Sequence, residues 1–265
     1  MELILETLCK NVCEHVKEVG SFIQSERIKF SADRIEVKGK NDFVSYVDKT
    51  AERLLIEKLS ILLPQAGYIA EEGTSIKRGE IYNWIIDPLD GTTNFIHGIP
   101  CYAISIALMK EKEIILGVVY EINLNECFYA WHNSKAYLNE KEINVSTTKT
   151  LANSLLATGF PYYDYSKMDE YLKLFSHYMQ HTHGLRRLGS AATDLAYVAC
   201  GRFDGFYEYG LQPWDVAAGA FIVQQAGGKI TDFKGSDNFI FGKEIITSNP
   251  LFFNEFLASL QLYFN

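Results

Sequence analysis

The sequence predicts a mixed α/β (α+β) protein built from layers of helix and sheet. Apolar residues recur at helical spacing near the start of the chain and again in its second half, while residues 81–131 hold four runs that read as strands. Beyond about residue 150, short strand candidates alternate with helical blocks, an order that does not fit a single doubly wound sheet.

The elements follow in order. Leu5, Leu8, Val12, Val16, Val19, Phe22 and Ile23 share one face of a helix over 2–25. Residues 33–47 alternate weakly about Lys38-Gly39-Lys40-Asn41-Asp42, a hairpin-like turn. Helical spacing returns from Lys49 to Leu63 and stops at Pro64. Tyr68-Ile69-Ala70 is a short apolar stub. Strands are expected at 81–86, 102–109, 114–121 and 126–131. Helices are expected at 168–181, 190–200, 213–226 and 250–262, with short strands at 154–157, 186–188, 203–208, 229–231 and 244–247. No Pro/Gly/Ser linker, repeat or low-complexity tract interrupts the chain. Residues 1–265 therefore read as one domain, with at most a subdomain seam near 145–152.

The net charge of −8 argues against non-specific binding to nucleic acid, though not against a specific protein partner. Cys9, Cys13, Cys101, Cys127 and Cys200 are odd in number and form no C-x-x-C pair, which fits a reducing, cytoplasmic setting. No apolar run reaches membrane-spanning length, and the acidic amphipathic start does not resemble a signal peptide.

The most informative stretch is Asp87-Pro88-Leu89-Asp90-Gly91-Thr92-Thr93-Asn94-Phe95, which follows the apolar run 81–86. Pro88 disfavours further strand pairing, so two carboxylates are expected where a strand ends. Gly91 allows close approach of the backbone to a ligand, and Thr92-Thr93-Asn94 is N-cap-like. Carboxylate and carbonyl oxygens suit hard cations, and free N–H groups at a helix start suit anions. The segment can thus hold a divalent metal beside a phosphate, as metal-assisted ester hydrolysis requires.

Other acids share this character. Asp48 precedes a helix, Glu71-Glu72 follow the apolar stub, and Asp215 opens a helix in Gln212-Pro213-Trp214-Asp215. Singly, each reads as an N-cap, a solvated surface or a turn. If they converge, each close pair repels by roughly 4 kcal/mol at about 4 Å, and bound cations make that tolerable.

Some candidates are weaker. His177 and His181 stand one helical turn apart, with His183 nearby, but no Glu or Cys pattern supports zinc, and a solvated helix end is the plainer account. His97 reads as a supporting or loop residue. Ser190 lacks a His–Asp pattern and is not a nucleophile. Gly227-Gly228 reads as a helix C-cap. Arg186-Arg187 suit a substrate phosphate, a partner subunit or a solvated strand end equally. Lys38 lies in the turn before Asp48, and a modest catalytic role is open to it.

Together with Glu71-Glu72 upstream, the run 87–95 and Pro213-Trp214-Asp215-Val216-Ala217-Ala218-Gly219 resemble the signatures of the inositol monophosphatase family of magnesium-dependent, lithium-sensitive phosphatases. The resemblance covers essentially the whole chain. It implies the layered αβαβα sandwich of the inositol monophosphatase and fructose-1,6-bisphosphatase type, and a homodimer. It implies two to three Mg2+ per site. Glu71, Asp87 and the carbonyl of Leu89 would hold the first, and Asp87, Asp90 and Asp215 the second. A third would lean on Glu71 and water. It gives Asp48 and Thr92 the orientation and deprotonation of the attacking water, and the N–H groups of Gly91 and Thr92 the phosphate. Asp90, Gly189, Ser190, Ala191 and Glu208 fall where the family contacts the substrate. The implied reaction is hydrolysis of a small phosphorylated polyol or sugar, with inositol 1-phosphate leading. Thr93 stands where nucleotide-type bisphosphate phosphatases and some histidinol-phosphate phosphatases tend to carry Lys. Fructose-1,6-bisphosphatase or other sugar or nucleotide phosphatase activity remains an alternative. So does a regulatory role in binding transcription or RNA-processing machinery.

Overall fold

The computed structural model describes residues 4–29, 35–39, 42–160 and 164–264. Five layers stack in order, helix, sheet, helix, sheet, helix, as the αβαβα architecture expected from the resemblance.

The first layer pairs α1 (Leu5–Lys29) with α2 (Tyr46–Leu62). Both are amphipathic and bury one face each, through Val12, Val16, Val19 and Ile23 and through Val47, Ala51, Leu55 and Leu59. Between them in sequence lies a two-stranded hairpin, β1 (Ile35–Gly39) with β2 (Asp42–Ser45). Lys38 falls in β1, and its side chain lies outside the described part of the structure.

The second layer is a seven-stranded sheet. Its strands are β3 (Gly67–Ala70), β4 (Tyr82–Asp90), β5 (Ala103–Lys110), β6 (Glu113–Glu121), β7 (Glu126–Trp131), β8 (Ala136–Leu138) and β9 (Lys141–Ile143), paired in chain order. Only β3 with β4 is parallel; the other neighbours are antiparallel. The β8–β9 pair was not foreseen. Each strand is three residues long, too short for periodicity, and the turn signal lies in Asn139 and Glu140, both with positive φ.

The third layer holds α5 (Ala191–Ala199) and α6 (Pro213–Gln225), packed together between the two sheets. Residues Val216 to Val223 of α6 are all buried, so this helix is apolar all round, as one enclosed by sheets must be. Gly227, at φ +86°, ends it as expected of a C-cap glycine.

The fourth layer is a five-stranded sheet in the order β11-β10-β12-β14-β13, formed by β10 (Leu155–Thr158), β11 (Gly184–Arg186), β12 (Gly205–Tyr209), β13 (Lys229–Thr231) and β14 (Glu244–Ser248). On its outer face α4 (Met168–His181) and α7 (Phe253–Gln261) bury Tyr171, Tyr178 and Phe256 against Tyr207. The strand expected at 186–188 lies two residues earlier. Asn94 Nδ2 holds the Leu188 carbonyl at 2.8 Å and draws that segment away from the sheet.

The strand before the main motif does not end at Ile86. β4 runs on to Asp90, and its pairing with β5 jumps from Asp87↔Ser105 to Asp90↔Ala103. Three steps along β4 face two along β5, so the excess is a β-bulge. Pro88 sits inside the bulge, where the ladder asks no N–H of it. The bulge sets Asp87 and Asp90 in one cavity while keeping both tied to the sheet.

Candidate active site

A cavity of about 530 Å3 opens where the helix starts of the middle layers meet the end of β4. Of the residues that the resemblance assigns to metal, phosphate, water or substrate, all line it except Asp48, which stands behind Thr92. Arg187, Asp194, Phe160 and Trp214 also face it.

Three helices begin here. The short α3 (Thr92–His97) starts after Gly91, whose φ of +93° and close approach to the Cys101 carbonyl exclude a side chain. Helix α5 is capped by Ser190, whose side chain accepts from the Thr193 N–H. Helix α6 has Pro213 in its first turn and a capping box, in which Asp215 Oδ2 accepts from the Gln212 N–H at 2.7 Å. Side chains tie the three starts together. Asn94 Nδ2 donates to the carbonyls of Cys101 and Leu188, and Ser105 Oγ donates to the Trp214 carbonyl at 3.0 Å. Ser105 is the register partner of Asp87, so the bulge and the start of α6 are one unit.

The carboxylates are held from the backbone side. Asp87 Oδ1 accepts from the Leu89 N–H at 2.9 Å. Asp90 Oδ2 accepts from Ser190 Oγ and from the Ala192 N–H, each at 2.7 Å. Thr92 Oγ1 lies 2.9 Å from Asp48 Oδ1 and 3.0 Å from the Leu89 carbonyl; its one proton serves either acceptor.

Burial and mutual repulsion leave these acids strained electrostatically. Burial pushes the Asp87 carboxyl well above its ordinary range, and the charges of Glu71, Asp90 and Asp215 push it further. Asp215 is pushed up to about 8, by burial and then by Asp90. Asp90 reaches about 6 because burial outweighs its bonds to Ser190 and Ala192.

Among the described residues, no three His, Cys, Asp or Glu side chains close into a finished ion cage. The Asp90 and Asp215 oxygens turned onto backbone donors account for part of that. The donor set nevertheless fits Mg2+: its side chains offer oxygen, and its crowded negative charge is what a hard cation relieves.

Two residues escaped the sequence reading. Glu52, fully buried one turn after Asp48 on α2, accepts from the N–H groups of Glu72 and Thr74 and from Thr74 Oγ1, all within 2.7 Å. It fixes the loop that carries Glu71, and its i, i+4 spacing from Asp48 was the available signal. Asp194 follows Ser190 by the same spacing. Of the two arginines left open, Arg187 faces the cavity and its guanidinium lies over Phe160 at 5.1 Å. Arg186 is exposed and donates to the Leu185 carbonyl. The rings of His177 and His181 stack at 4.3 Å far along α4, both in a shallow surface groove.

The layered sandwich places an acid-lined cavity at its helix starts, in agreement with the resemblance of the sequence signatures. The chain belongs to the inositol monophosphatase family, which it matches over residues 4–262. It is 46% identical over 220 residues to a putative Nus factor SuhB of Neisseria meningitidis, covering 83% of this chain and 84% of the relative. It is 42% identical over 217 residues to an inositol-1-monophosphatase of Rhizobium meliloti, covering 82% of each. Among solved structures it resembles the extragenic suppressor protein SuhB of Bartonella henselae, with a TM-score of 0.90, 36% identity, and coverage of 95% of this chain and 97% of that one. No helix among the described residues is long and apolar enough to cross a membrane.

Proposed function

We propose that this protein is a Mg2+-dependent phosphatase of small phosphate monoesters, with inositol 1-phosphate its leading substrate. The observation that carries the proposal is the crowding of Glu71, Asp87, Asp90 and Asp215 in one buried cavity. A binding module has no need to sustain such repulsion, whereas a phosphatase uses it to hold cations against a dianionic substrate. The Rhizobium relative named as an inositol-1-monophosphatase supports the substrate class.

Glu71, Asp87 and the Leu89 carbonyl would hold one ion, and Asp87, Asp90 and Asp215 a second. When bound, these ions would neutralise the phosphate and make water easier to deprotonate. The protein's own groups do the rest. The N–H groups of Gly91 and Thr92 receive phosphate oxygens. Thr92 donates its hydroxyl proton to Asp48, which leaves its lone pairs to accept from a water molecule and aim that water at phosphorus. The water's oxygen forms the new P–O bond as the bond from phosphorus to the ester oxygen breaks. The water's proton passes toward Thr92 and Asp48, and the ester oxygen departs with the polyol and takes up a proton from solvent. Glu208, with Gly189, Ser190 and Ala191, faces the leaving group. The test is phosphate release from a panel of polyol, sugar and nucleotide phosphates, with Mg2+ and with excess chelator.

A second reading rests on the Neisseria relative, whose name assigns it to the Nus factors. A regulatory, protein-binding role in transcription is compatible with catalysis. A pull-down of the transcription machinery, repeated with a catalytically dead variant, would separate the two. We further propose a homodimer in a cytoplasmic setting, to be tested by sedimentation and by cell fractionation.

A further inference from the structure

Two buried carboxylates in the cavity differ from all the others in how they are satisfied. Asp48, Asp87, Asp90 and Asp215 each accept a hydrogen bond from a protein donor. So do the buried Glu52 and Glu121. Asp194 and Glu208 are only 1% and 7% exposed, and neither accepts a hydrogen bond from any described residue. Asp194 Oδ1 is sealed from solvent with no hydrogen-bond partner among the described residues. A buried carboxylate without a donor is costly, and native proteins keep few of them. Both residues line the cavity, and the second oxygen of Asp194 and the carboxylate of Glu208 are not sealed as Oδ1 is, so these oxygens can take their donors from something that enters it.

The surroundings narrow what that is. Arg187 supplies compensating positive charge to both groups, while Glu208 and Asp90 add negative charge at Asp194. Glu208 lies so close over Gly159 that a Cβ there would meet its carboxylate at 2.0 Å, which fixes the carboxylate against that wall. Asp194 is presented by the first turn of α5, the same turn whose Ser190 holds Asp90. The cavity therefore has two acid regions. One is furnished with backbone donors around Asp87, Asp90 and Asp215; the other consists of two acceptors awaiting donors.

We propose that Asp194 is a specificity-determining residue, which together with Glu208 reads hydroxyl groups of the leaving group and excludes a leaving group that carries a second phosphate. This rests on the phosphatase reading above. Polyol hydroxyls supply the donors that the protein withholds, and a site built to bond a hydroxyl discriminates strongly against an analogue lacking it. A second phosphate is anionic and, when ionised, offers acceptors only. It would face two carboxylates with one arginine to offset them. The inference singles out monophosphates of neutral polyols over sugar or nucleotide bisphosphates.

The test compares wild type with D194N, which keeps the shape and removes the charge, using Mg2+-loaded protein. The substrates are inositol 1-phosphate, p-nitrophenyl phosphate and fructose 1,6-bisphosphate. Losing a charge-assisted bond predicts a kcat/KM for inositol 1-phosphate lower by roughly ten- to a hundredfold, carried mainly by KM. p-Nitrophenyl phosphate, which has no hydroxyl to read, should change by less than about twofold. The preference for inositol phosphate over fructose 1,6-bisphosphate should narrow. Inhibition by free inositol should weaken in parallel. Equal losses on inositol 1-phosphate and p-nitrophenyl phosphate, or an unchanged inositol phosphate KM, would overturn the proposal while leaving the phosphatase reading intact. If D194N does not fold, D194A is read the same way, and failure of both to fold makes Asp194 a packing residue and also overturns it. A wild type inert towards every ester would remove the phosphatase reading and this inference together.

Discussion

Asp87 is the residue on which the site's electrostatics converge, since its own burial and three other carboxylates act on it. Asp87→Asn keeps the shape, and the new carboxamide oxygen can still accept from the Leu89 N–H. It removes charge from both proposed ion positions, so turnover should fall by about a hundredfold or more. The metal-free protein should melt no lower, and a large drop in Tm would assign Asp87 to the fold instead. The same repulsion predicts a pH dependence. Asp90 and Asp215 are raised to about 6 and about 8, above the roughly 3.9 of an unfolded Asp. For acids raised on folding, the stabilisation is present below the unfolded value and is lost as pH rises through the folded values. The metal-free protein should therefore lose melting temperature between about pH 4 and pH 8. Stabilisation by Mg2+ should grow over the same window, because the ion displaces protons at low pH and relieves bare charge at high pH. A Mg2+-induced shift that stays flat from pH 6 to pH 8 would contradict this. Gly159→Ala gives a third test at this scale. Its Cβ needs the space of the Glu208 carboxylate, so the variant should lose inositol phosphate turnover and retain p-nitrophenyl phosphate turnover, measured side by side.

Among elements, α2 organises the site from outside it. Asp48 and Glu52, one turn apart, hold respectively Thr92 after the β4 bulge and the loop that carries Glu71. Glu52→Gln turns part of an acceptor into a donor facing the N–H groups of Glu72 and Thr74. The Mg2+ concentration for half-maximal activity should rise about tenfold with the substrate KM little changed, as outer partners of metal ligands behave. A Mg2+ titration by calorimetry on the variant checks this without turnover, and unaltered affinity would leave Glu52 a mere loop anchor. The long helices and the central strands were legible in the sequence because their periodicity extends over many residues, as in α1 and β6. The bulge was not. Pro88 signals the end of a ladder, and only the partner strand, through Ser105 and Ala103, shows that pairing resumes at Asp90. The motif residues were legible because they are contiguous or lie beside recognisable helix starts. Asp194 was not, since Ala191-Ala192-Thr193-Asp194-Leu195 reads as ordinary helix until the cavity shows which side Asp194 faces.

For the whole molecule, α6 is the common element. It packs against the seven-stranded sheet on one side and reaches β13 of the five-stranded sheet on the other. We propose that the chain folds as one cooperative unit, with no independent unit on either side of 145–152. Thermal and denaturant melts followed by circular dichroism and by tryptophan fluorescence should then coincide, and two separated transitions would divide the chain at the seam. Function, too, is a property of the assembled layers. The acids come from α2, the loop after β3, the β4 bulge and the start of α6, and the groups proposed to face the leaving group come from α5 and its N-cap and from β12. The claim central to this account is that the convergence serves cation-dependent ester hydrolysis. Its most direct test is phosphate release from inositol 1-phosphate by the purified protein, first with Mg2+, then with excess chelator, then with Mg2+ restored. The account predicts turnover that disappears with the chelator and returns with the ion. Turnover undiminished in chelator, or none at any Mg2+ concentration with any phosphate monoester, would contradict it.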